Sequence, residues 1–275
     1  MFDSPEALAA QYRRDGYLCP IRVMTEARAA ECRALLEQAE FKASEDPEGE
    51  SYFREYANIV LGFVGDLLRD PAVTDPVSAI LGNDLLVMAC NFFIKEPNST
   101  AYVSWHQDVH YWGLQEDNEV TAWIAFTPAT RESGCMKFVP GSHTEIVAHQ
   151  DTFAEDNLLT RGQEIAVEVD EEDAIAAELA PGEMSLHHGR LFHASDPNRS
   201  SIRRIGLAIR YVPTSMAQID GARMSATLAR GEDRFGHWDL QPSGTGLLEP
   251  DDLQRHRDIR DRRRAVLYRD TGESS

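Results

Sequence analysis

Two residues that can bind a metal ion stand one position apart in the segment Val-Ser-Trp-His-Gln-Asp-Val, residues 103–109. Alternate side chains of an extended segment leave from the same face, so His106 and Asp108 can reach one small target. An imidazole and a carboxylate so placed are two members of a facial site for ferrous iron, which a second histidine would complete. A His-x-Asp triplet also arises by chance, and two polar groups hydrogen-bonding at a strand end are the simpler alternative.

The third ligand must come from a distant part of the chain, and the sequence offers several histidines for it. The most informative segment is 187–198, which lies between two predicted strands and contains His188 and His193. A strand returning from this segment can bring a second imidazole to the first two ligands. We take His193 as the third ligand, with His188 as the main alternative. His143 ends a turn and is predicted to be structural.

The next strand gives an independent indication of what the site binds. Its alternate residues on one face are Arg204, Gly206, Ala208 and Arg210, whereas the opposite face is apolar or aromatic. Two arginines separated by two small residues leave room for a ligand between two cations. Because guanidinium groups bind carboxylates through paired hydrogen bonds, a dicarboxylate is the natural occupant. 2-Oxoglutarate fits, since one end can chelate iron while the far carboxylate pairs with an arginine.

Several short motifs accompany these residues. They are Trp105-His106-Gln107-Asp108, Glu132-Ser133-Gly134-Cys135-Met136, Pro140-Gly141-Ser142-His143, His193-x-Ser195-x-x-Asn198, and Arg204 eleven residues after His193. In this combination the chain resembles the phytanoyl-CoA dioxygenase family of iron- and 2-oxoglutarate-dependent oxygenases. The resemblance extends from residues 14–17 to about residues 230–233 and implies a double-stranded β-helix, a jelly-roll barrel of the cupin-like type.

The resemblance also implies a role for individual residues. His106, Asp108 and His193 would bind iron, while Arg204 and Ser195 would hold the far carboxylate of 2-oxoglutarate. Counting from His193 places Ser195 and Arg204 correctly, which favours it as the third ligand. The rest of the cosubstrate pocket is expected to be lined by Asn91, Thr121, Trp123 and Arg210. Arg210 would lie near the iron-bound end.

The implied cofactors are Fe(II), the cosubstrate 2-oxoglutarate and dioxygen. Asp108 stands where related halogenases carry a small residue, so a hydroxylase or another oxidative enzyme is expected. The expected reaction is hydroxylation of an unactivated C–H bond in a small polar metabolite or a natural-product intermediate of secondary metabolism. Desaturation, cyclisation or epimerisation at the same iron are alternatives, and a non-catalytic cupin-like binding protein is another.

Three side chains outside the iron and cosubstrate set are candidate substrate contacts. His110 and Trp112 follow the metal strand, and Trp238 belongs to a predicted closing segment near the C-terminus. Plain packing is the alternative for Trp112 and Trp238. The loops expected to carry the substrate determinants are 109–118, 145–172 and 214–238.

The composition limits the partners of the protein. The chain of 275 residues has 27 basic and 46 acidic residues, a formal net charge of -19. This balance repels phosphate backbones and anionic membranes, so we expect a small-molecule substrate rather than nucleic acid or a membrane. The four cysteines are widely spaced, which suits a reducing compartment. With no signal-peptide pattern at the N-terminus, a cytoplasmic location is expected.

The order of elements predicts a mainly β fold with helical padding. We expect a single domain over 1–275, with helices over 1–83, a barrel over 84–213, and a lid and C-terminal helix over 214–275. Helical patterns cover 52–68, and a further helix is predicted to begin at Asp75-Pro76. Residues 149–172 are predicted to be irregular, and Glu249-Pro250-Asp251-Asp252 is predicted to open a final helix that ends near Leu267.

Overall fold

The computed structural model describes residues 4–108, 112–152, 154, 156–159, 163–219, 221 and 223–267. The helices within these residues are α1 Pro5–Asp15, α2 Glu26–Ala43, α3 Ser51–Arg54, α4 Ala57–Val60, α5 Gly62–Leu67, α6 Pro71–Leu81 and α7 Pro250–Leu267. The strands are β1 Tyr17–Arg22, β2 Leu85–Lys95, β3 Val103–His106, β4 Val120–Ala125, β5 Met136–Phe138, β6 His149–Asp151, β7 Gln163–Ile165, β8 Ile175–Ala177, β9 Glu183–His187, β10 His193–Ser195, β11 Arg204–Pro213, β12 Ser225–Arg230 and β13 Asp239–Leu240.

Capping side chains mark the starts of the first two helices. Ser4 caps α1 by accepting a hydrogen bond from the Ala7 N–H at 3.2 Å, and Gly16 ends it with a φ of 79°. Thr25 caps α2 in the same way, by accepting from the Arg28 N–H at 3.2 Å. Local capping chemistry therefore sets the limits of both helices.

The segment between α2 and the sheet differs from the prediction. The helix expected over 52–68 is broken into three short pieces, and Tyr56 interrupts it with a left-handed backbone, φ 50°. The helix expected from Asp75 begins earlier, at Pro71, because the Asp70 side chain caps it and a proline is tolerated in the first turn. Two Asp-Pro pairs occur in this stretch, and the first of them opens α6.

Two β-sheets form the body of the protein. The larger sheet has the strand order β1-β9-β4-β11-β2-β12-β13, and the smaller sheet has the order β3-β10-β5-β8. Side chains from both sheets line one internal cavity, so the two sheets face each other. This architecture is a double-stranded β-helix of the cupin-like type, which confirms the predicted fold class.

The larger sheet extends beyond the predicted barrel. β1 pairs with β9 through Tyr17 and His187, and β12 pairs with β2 through Thr227 and Val87. Strands from both flanking segments thus complete the sheet, and the predicted limits of the barrel, 84–213, need correction at both ends. These flanking strands are short, so their alternation is weak in the sequence.

Strand β11 has the two faces that its sequence predicts. Ile205, Leu207, Ile209 and Tyr211 belong to the main hydrophobic core, which lies between the larger sheet and the helices. The Tyr211 hydroxyl donates to the carbonyl that follows α5, at 2.8 Å. The opposite face of β11 points into the cavity between the sheets, and this face carries the two arginines.

Residues 149–172 contain a regular feature where none was predicted. β6 and β7 pair in antiparallel register, with His149 opposite Ile165 and Asp151 opposite Gln163. The side chains of β6 are half-buried or exposed, so the polar and apolar residues do not alternate clearly. This pair of strands is a third, two-stranded sheet beside the barrel.

The C-terminal helix α7 spans the predicted range and is anchored by its polar side chains. His256 Nε2 lies 2.6 Å from the carbonyl oxygen of Glu55, and Arg260 forms ion pairs with Glu48 and Glu55. Ile259 packs into a small apolar cluster beside α4. A search of the described helices finds none with the length and apolar character needed to cross a membrane.

Gly206 on β11 gives space to a large side chain of the neighbouring strand. A Cβ atom at this position would stand 1.8 Å from Cζ2 of Trp123, far closer than two carbon atoms can approach. The absence of a side chain at Gly206 therefore allows the Trp123 ring to lie across β11, on the face that lines the cavity.

Gly206→Ala should lower the free energy of unfolding by about 1–3 kcal/mol or more, because the added methyl group displaces the Trp123 ring. Urea denaturation measures this change. In a Trp123→Leu background the same alanine should cost clearly less, since the obstructing ring is gone. Equal costs in the two backgrounds would contradict the proposed contact.

Candidate metal and cosubstrate site

The pairing of β3 with β10 brings together two histidines that are far apart in sequence. His193 stands directly opposite His106 in the antiparallel register, and the two ring centroids are 4.0 Å apart. Residues directly opposite each other leave the sheet on the same face. Strand β10 is also paired with β5, where His193 is opposite Phe138. Both imidazoles are therefore held on strands at the cavity wall.

Backbone carbonyls set the orientation of both imidazole rings. His106 Nδ1 lies 2.9 Å from the Ser104 carbonyl oxygen, and His193 Nδ1 lies 2.8 Å from the Leu191 carbonyl oxygen. A carbonyl oxygen only accepts, so each Nδ1 carries the proton and donates it. This assigned tautomer leaves each Nε2 with a free lone pair, which is the form that binds a metal ion.

Asp108 lies just beyond β3 and completes a three-residue cluster. One ligand atom from each of His106, Asp108 and His193 lies within 4.8 Å of the others. The Asp108 carboxylate is 3.5 Å from His106 Nε2 and 3.7 Å from Arg210 Nε. Burial alone would raise the pKa of Asp108, but Arg210 and the two imidazoles hold that pKa well below its usual range. The carboxylate is therefore ionised at neutral pH.

The charge state of the cluster suits a divalent cation. Burial, and then the neighbouring His106, lower the pKa of His193 well below its ordinary value, so this imidazole is neutral. Oδ2 of Asp108 has no hydrogen-bond partner among the described residues. Two imidazoles and one carboxylate on one side of a cavity fit ferrous iron, with coordination positions open on the other side.

The cluster opens on a cavity between the two sheets. Together with the open space at its mouth, the cavity has a volume of about 410 Å³. Its lining residues are Phe93, Val103, His106, Asp108, Thr121, Trp123, Met136, His187, His193, Ala194, Ser195, Arg204, Ala208 and Arg210. Among the predicted iron and cosubstrate residues, Asn91 is the one that lies beside this lining rather than in it.

Arg204 is a buried cation with unused hydrogen-bond donors. Its side chain is 1% exposed, and its guanidinium carbon lies 5.3 Å from the ring centroid of Trp123. Nε and Nη2 have no hydrogen-bond partner in the described part of the chain. Burial lowers the pKa of Arg204 to about 10, so the group remains charged at neutral pH. Because unpaired buried donors are costly, this end of the cavity fits a carboxylate.

Ser195 stands at the same end of the cavity, next to a lysine that the sequence reasoning missed. Lys95 is 0% exposed, and its Nζ donates to Ser195 Oγ at 2.6 Å. The sequence does carry a signal for Lys95, since alternation along the predicted strand 85–95 places it on the same face as Asn91. Lysine is rarely buried, so this signal is easily discounted.

Arg210 lies on β11, like Arg204, but at the metal end of the cavity. Its Nη1 donates to Oδ1 of Asn91, and its guanidinium carbon lies 5.3 Å from the ring centroid of Trp112. Thr121 is directly opposite Arg210 in the register with β4, and its hydroxyl has no partner among the described residues. The structure thus groups Asn91, Thr121 and Arg210, with the half-buried Trp112 beside them.

His187 also lines the cavity, although the sequence reasoning gave it no role. Its ring centroid is 4.7 Å from that of His193, and it stands opposite Thr121 in the register of β9 with β4. Burial, with further contributions from nearby charges, lowers the pKa of His187 to about 3. His187 is the last residue of β9 and His188 is the residue after it, so their side chains leave in different directions.

Gln107 stands between the two metal-binding positions of the motif and holds a covering segment in place. Its amide nitrogen donates to the carbonyl oxygens of Glu145 and Arg190, at 2.7 and 2.6 Å. Its amide oxygen accepts from the Val147 N–H at 3.1 Å. These contacts give Gln107 a supporting role beside the metal cluster.

His188 lies away from the metal cluster. Its Nδ1 accepts from the Arg190 N–H at 3.0 Å, and its ring centroid lies 5.3 Å from that of His143. His143 donates from Nε2 to the Arg13 carbonyl oxygen at 3.2 Å. Both side chains connect the loops beside α1, so the structure does not support His188 as the third ligand.

The predicted substrate contacts have different placements. Trp238 is 2% exposed in an apolar cluster with Met216, and its indole N–H donates to the Met216 carbonyl at 2.7 Å. Its ring and its only donor are both occupied by packing, so the structure speaks against the predicted role of Trp238 in substrate contact. Trp112 touches Arg210 and remains a candidate. His110 lies outside the described residues.

The fold and the site together define a class of protein. A cupin-like barrel with a facial cluster of two histidines and one carboxylate is typical of the non-haem iron oxygenases. The sequence model described as Phytanoyl-CoA dioxygenase (PhyH) matches residues 12–206. The chain therefore belongs to the phytanoyl-CoA dioxygenase family, which confirms the resemblance found in its motifs.

Solved structures and curated proteins add further similarities. A non-heme monooxygenase, ThoJ in its apo form, is 29% identical, with a TM-score of 0.85 over 94% of this chain and 97% of that chain. CytC3 with Fe(II) and alpha-ketoglutarate is 22% identical, with a TM-score of 0.67 over 90% and 95%, and shows a similar fold. A probable alpha-ketoglutarate-dependent hypophosphite dioxygenase of Stutzerimonas stutzeri is 27% identical over 57% of this chain and 55% of that protein. The chain spans about half the length of the curated relatives it matches.

His188 gives a pH-dependent contribution to stability that a substitution can isolate. Burial, and then His143, lower the pKa of His188 to about 4. A histidine held neutral in the folded state stabilises the protein fully above about pH 6.5, and this contribution is lost as pH falls toward 4. Glu119 acts in the opposite direction, because burial raises its pKa well above the usual value. A comparison with a variant is therefore needed.

We expect the difference in unfolding free energy between the original protein and His188→Gln to shrink by about 1–3 kcal/mol between pH 7.5 and pH 4.5. Urea denaturation of the metal-free proteins at several pH values measures it. The Glu119 contribution cancels in the difference, since both proteins contain that residue. A difference that stays constant with pH would contradict the assignment.

Proposed function

We propose that the protein is an Fe(II)- and 2-oxoglutarate-dependent dioxygenase that hydroxylates an unactivated C–H bond. The observation that carries the proposal is one cavity with two different ends. One end has His106, Asp108 and His193, a donor set that fits ferrous iron. The other has Arg204, a buried cation with two donors that have no partner among the described residues. 2-Oxoglutarate carries one group suited to each end.

The dimensions of β11 support this division of the cavity. Arg204 and Arg210 are six residues apart on one strand, which corresponds to roughly 20 Å of backbone. Arg210 forms its ion pair with Asp108, at the metal end. Arg204 has Trp123 against its guanidinium group and Ser195 beside it on the cavity wall. The two arginines therefore serve different ends of one elongated site.

The names of similar proteins support the same class of chemistry. The relative from Stutzerimonas stutzeri carries a name that includes dependence on alpha-ketoglutarate, another word for 2-oxoglutarate. ThoJ, which shares 29% of its sequence with this chain, is described as a non-heme monooxygenase. Both descriptions agree with the chemistry that the donor set favours.

Iron bound with 2-oxoglutarate and dioxygen supplies the oxidising power, and the cosubstrate leaves as succinate and carbon dioxide. The protein's own residues position the groups that react. Arg204 and Ser195 would hold the far carboxylate, while Trp123 and Phe93 would exclude water from the chain of the cosubstrate. Asp108 would fill an anionic ligand position, which leaves hydroxylation favoured over halogenation.

The proposal also covers the substrate and the outcome of the oxidation. A small polar metabolite or natural-product intermediate suits a site close to Arg210, Trp112 and Thr121. Desaturation, cyclisation and epimerisation use the same iron site and differ in where the target C–H bond is held, on a scale of about 1 Å. We further propose that the protein acts in the cytoplasm, as the spacing of its cysteines suggests.

A non-catalytic binding protein of the same fold is the rival proposal. Conversion of 2-oxoglutarate into succinate separates the two, because a binding protein would hold the acid without consuming it. The assay uses the ferrous protein, ascorbate and a mixture of small polar metabolites. Succinate that forms faster with the mixture than without it would support the dioxygenase.

Asp108→Ala should abolish succinate formation and weaken ferrous binding by at least about tenfold, because it removes the anionic ligand. Anaerobic titration with Fe(II) and 2-oxoglutarate, followed by the weak charge-transfer absorbance, measures binding. Asp156→Ala is the matched control, since that carboxylate bonds the Thr100 hydroxyl at the surface. Full activity in Asp108→Ala would overturn the ligand assignment.

Two histidines in one segment form a second matched pair. His193→Ala should remove ferrous binding, because no other described imidazole takes its place opposite His106. His188→Ala should keep ferrous binding within about threefold of the original protein, because its ring faces His143. The same anaerobic titration reports both results. The reverse pattern would make His188 the ligand.

A further inference from the structure

Lys95 is a buried cation that the proposed chemistry does not use. It is the last residue of β2 and stands directly opposite Arg204 in the antiparallel register with β11. Opposite residues leave the sheet on the same face, so both cations lie on the side of the cavity. Phe93, two residues before Lys95 on the same face, lines the cavity itself.

Within the described residues, the Lys95 ammonium nitrogen has all its hydrogen bonds with one short segment. Its Nζ lies 2.6 Å from Ser195 Oγ, 3.2 Å from the Ser195 carbonyl oxygen and 2.5 Å from the Asp196 carbonyl oxygen. These three acceptors match the three N–H donors of an ammonium group. The ammonium therefore ties β2 to β10 at the end of the cavity where Arg204 lies.

This end of the cavity has positive charge without an internal counterion. In the part of the chain that the structure describes, neither Lys95 nor Arg204 forms an ion pair with a carboxylate. The nearest acidic side chain, Asp196, points to the surface and pairs with Lys137 at 3.0 Å. A buried guanidinium without a partner, next to a second buried basic group, is unfavourable, so the site is suited to an anion.

The contact with Lys95 determines what the Ser195 hydroxyl can do. A hydroxyl group has one proton to donate, and its oxygen here accepts from the lysine. The proton is thus free to be donated to another group. Since Ser195 lines the cavity beside Arg204, an anion bound to Arg204 is the acceptor within reach.

We propose that Lys95 is a positioning residue for the far carboxylate of the cosubstrate. By donating to Ser195 Oγ, it fixes the hydroxyl so that its proton points at the carboxylate bound by Arg204. Lys95 needs no contact of its own with the cosubstrate. The inference rests on the proposed function, because it assigns a role toward 2-oxoglutarate.

The protonation of Lys95 agrees with this role. Burial, and then the neighbouring Arg204, lower the pKa of Lys95 to about 6, with smaller effects from Asp196, Cys135 and Lys137. A carboxylate bound to Arg204 offsets the repulsion between the two cations and raises that pKa again. Binding of the cosubstrate therefore favours the ammonium form, which is the form that orients Ser195.

The test compares two acids that differ only at the far end. 2-Oxopentanoate has the same five-carbon chain as 2-oxoglutarate, with a methyl group in place of the far carboxylate. Calorimetry with the ferrous protein under anaerobic conditions gives Kd for each. We expect Lys95→Met to reduce the preference for 2-oxoglutarate by about ten- to a hundredfold and to leave Kd for 2-oxopentanoate unchanged.

Two further variants separate positioning from other roles. Ser195→Ala should cause a similar loss of preference, and adding Lys95→Met to it should cause little more, because the lysine acts through the serine. Lys137→Met is the matched control, a nearby lysine whose Nζ binds Glu171 and Asp196, and it should leave both affinities unchanged. An unchanged preference in Lys95→Met, equal weakening of both acids, or fully additive losses would each overturn the proposal.

The experiment also separates this inference from the proposed function. If the original protein binds 2-oxoglutarate no more tightly than 2-oxopentanoate, the proposed cosubstrate is wrong and the role of Lys95 fails with it. If the preference is present and Lys95→Met keeps it, the inference alone fails. Should Lys95→Met not fold, Lys95→Gln takes its place with the same expected result, because its neutral amide can still donate to the Asp196 carbonyl.

Discussion

The candidate site depends on the register between β3 and β10. His106 and His193 face each other only because these two strands pair as they do, and a slip of one residue would turn one imidazole away from the cavity. β5 holds the other side of β10, so the register is fixed on both sides of His193. The carbonyls of Ser104 and Leu191 then fix each ring and its tautomer. The metal site therefore depends on strand pairing, because neighbouring positions in sequence supply two of its three ligands and the third comes from β10.

Charge is distributed unevenly along the cavity. At the metal end Asp108 and Arg210 face each other, so an acid and a base compensate one another in the protein alone. At the far end the two basic side chains Arg204 and Lys95 are both almost completely buried, and burial and Arg204 lower the pKa of Lys95 to about 6. Such a pair lowers the stability of the ligand-free protein, and the unfavourable term disappears when an anion binds.

The sequence was most informative where a strand exposes its two faces to different surroundings. The alternation along β11 predicts both the apolar core face and the arginines of the cavity, and the structure shows both. It was least informative where the same residue type serves two purposes. The sequence around Trp238 is compatible with a substrate contact and with packing. The hydrogen bond from its indole N–H to the Met216 carbonyl distinguishes the two. Lys95 was missed because a lysine at a strand end is normally solvated. The short strands β1 and β12 were excluded from the barrel because a few residues carry too little alternation.

The contact between Gly206 and Trp123 has a consequence for molecular size. The Trp123 ring fills the space above Gly206 and lies against Arg204. Arg204 lies on β11 and His193 lies on β10, and each of these strands is paired on both sides. His106 lies on β3, which is paired with β10. Packing of the ring against the guanidinium group limits the space at this end of the cavity. Under the proposed function the site would therefore select 2-oxoglutarate by length, because a homologue one carbon shorter or longer would leave a buried charge unpaired at one end.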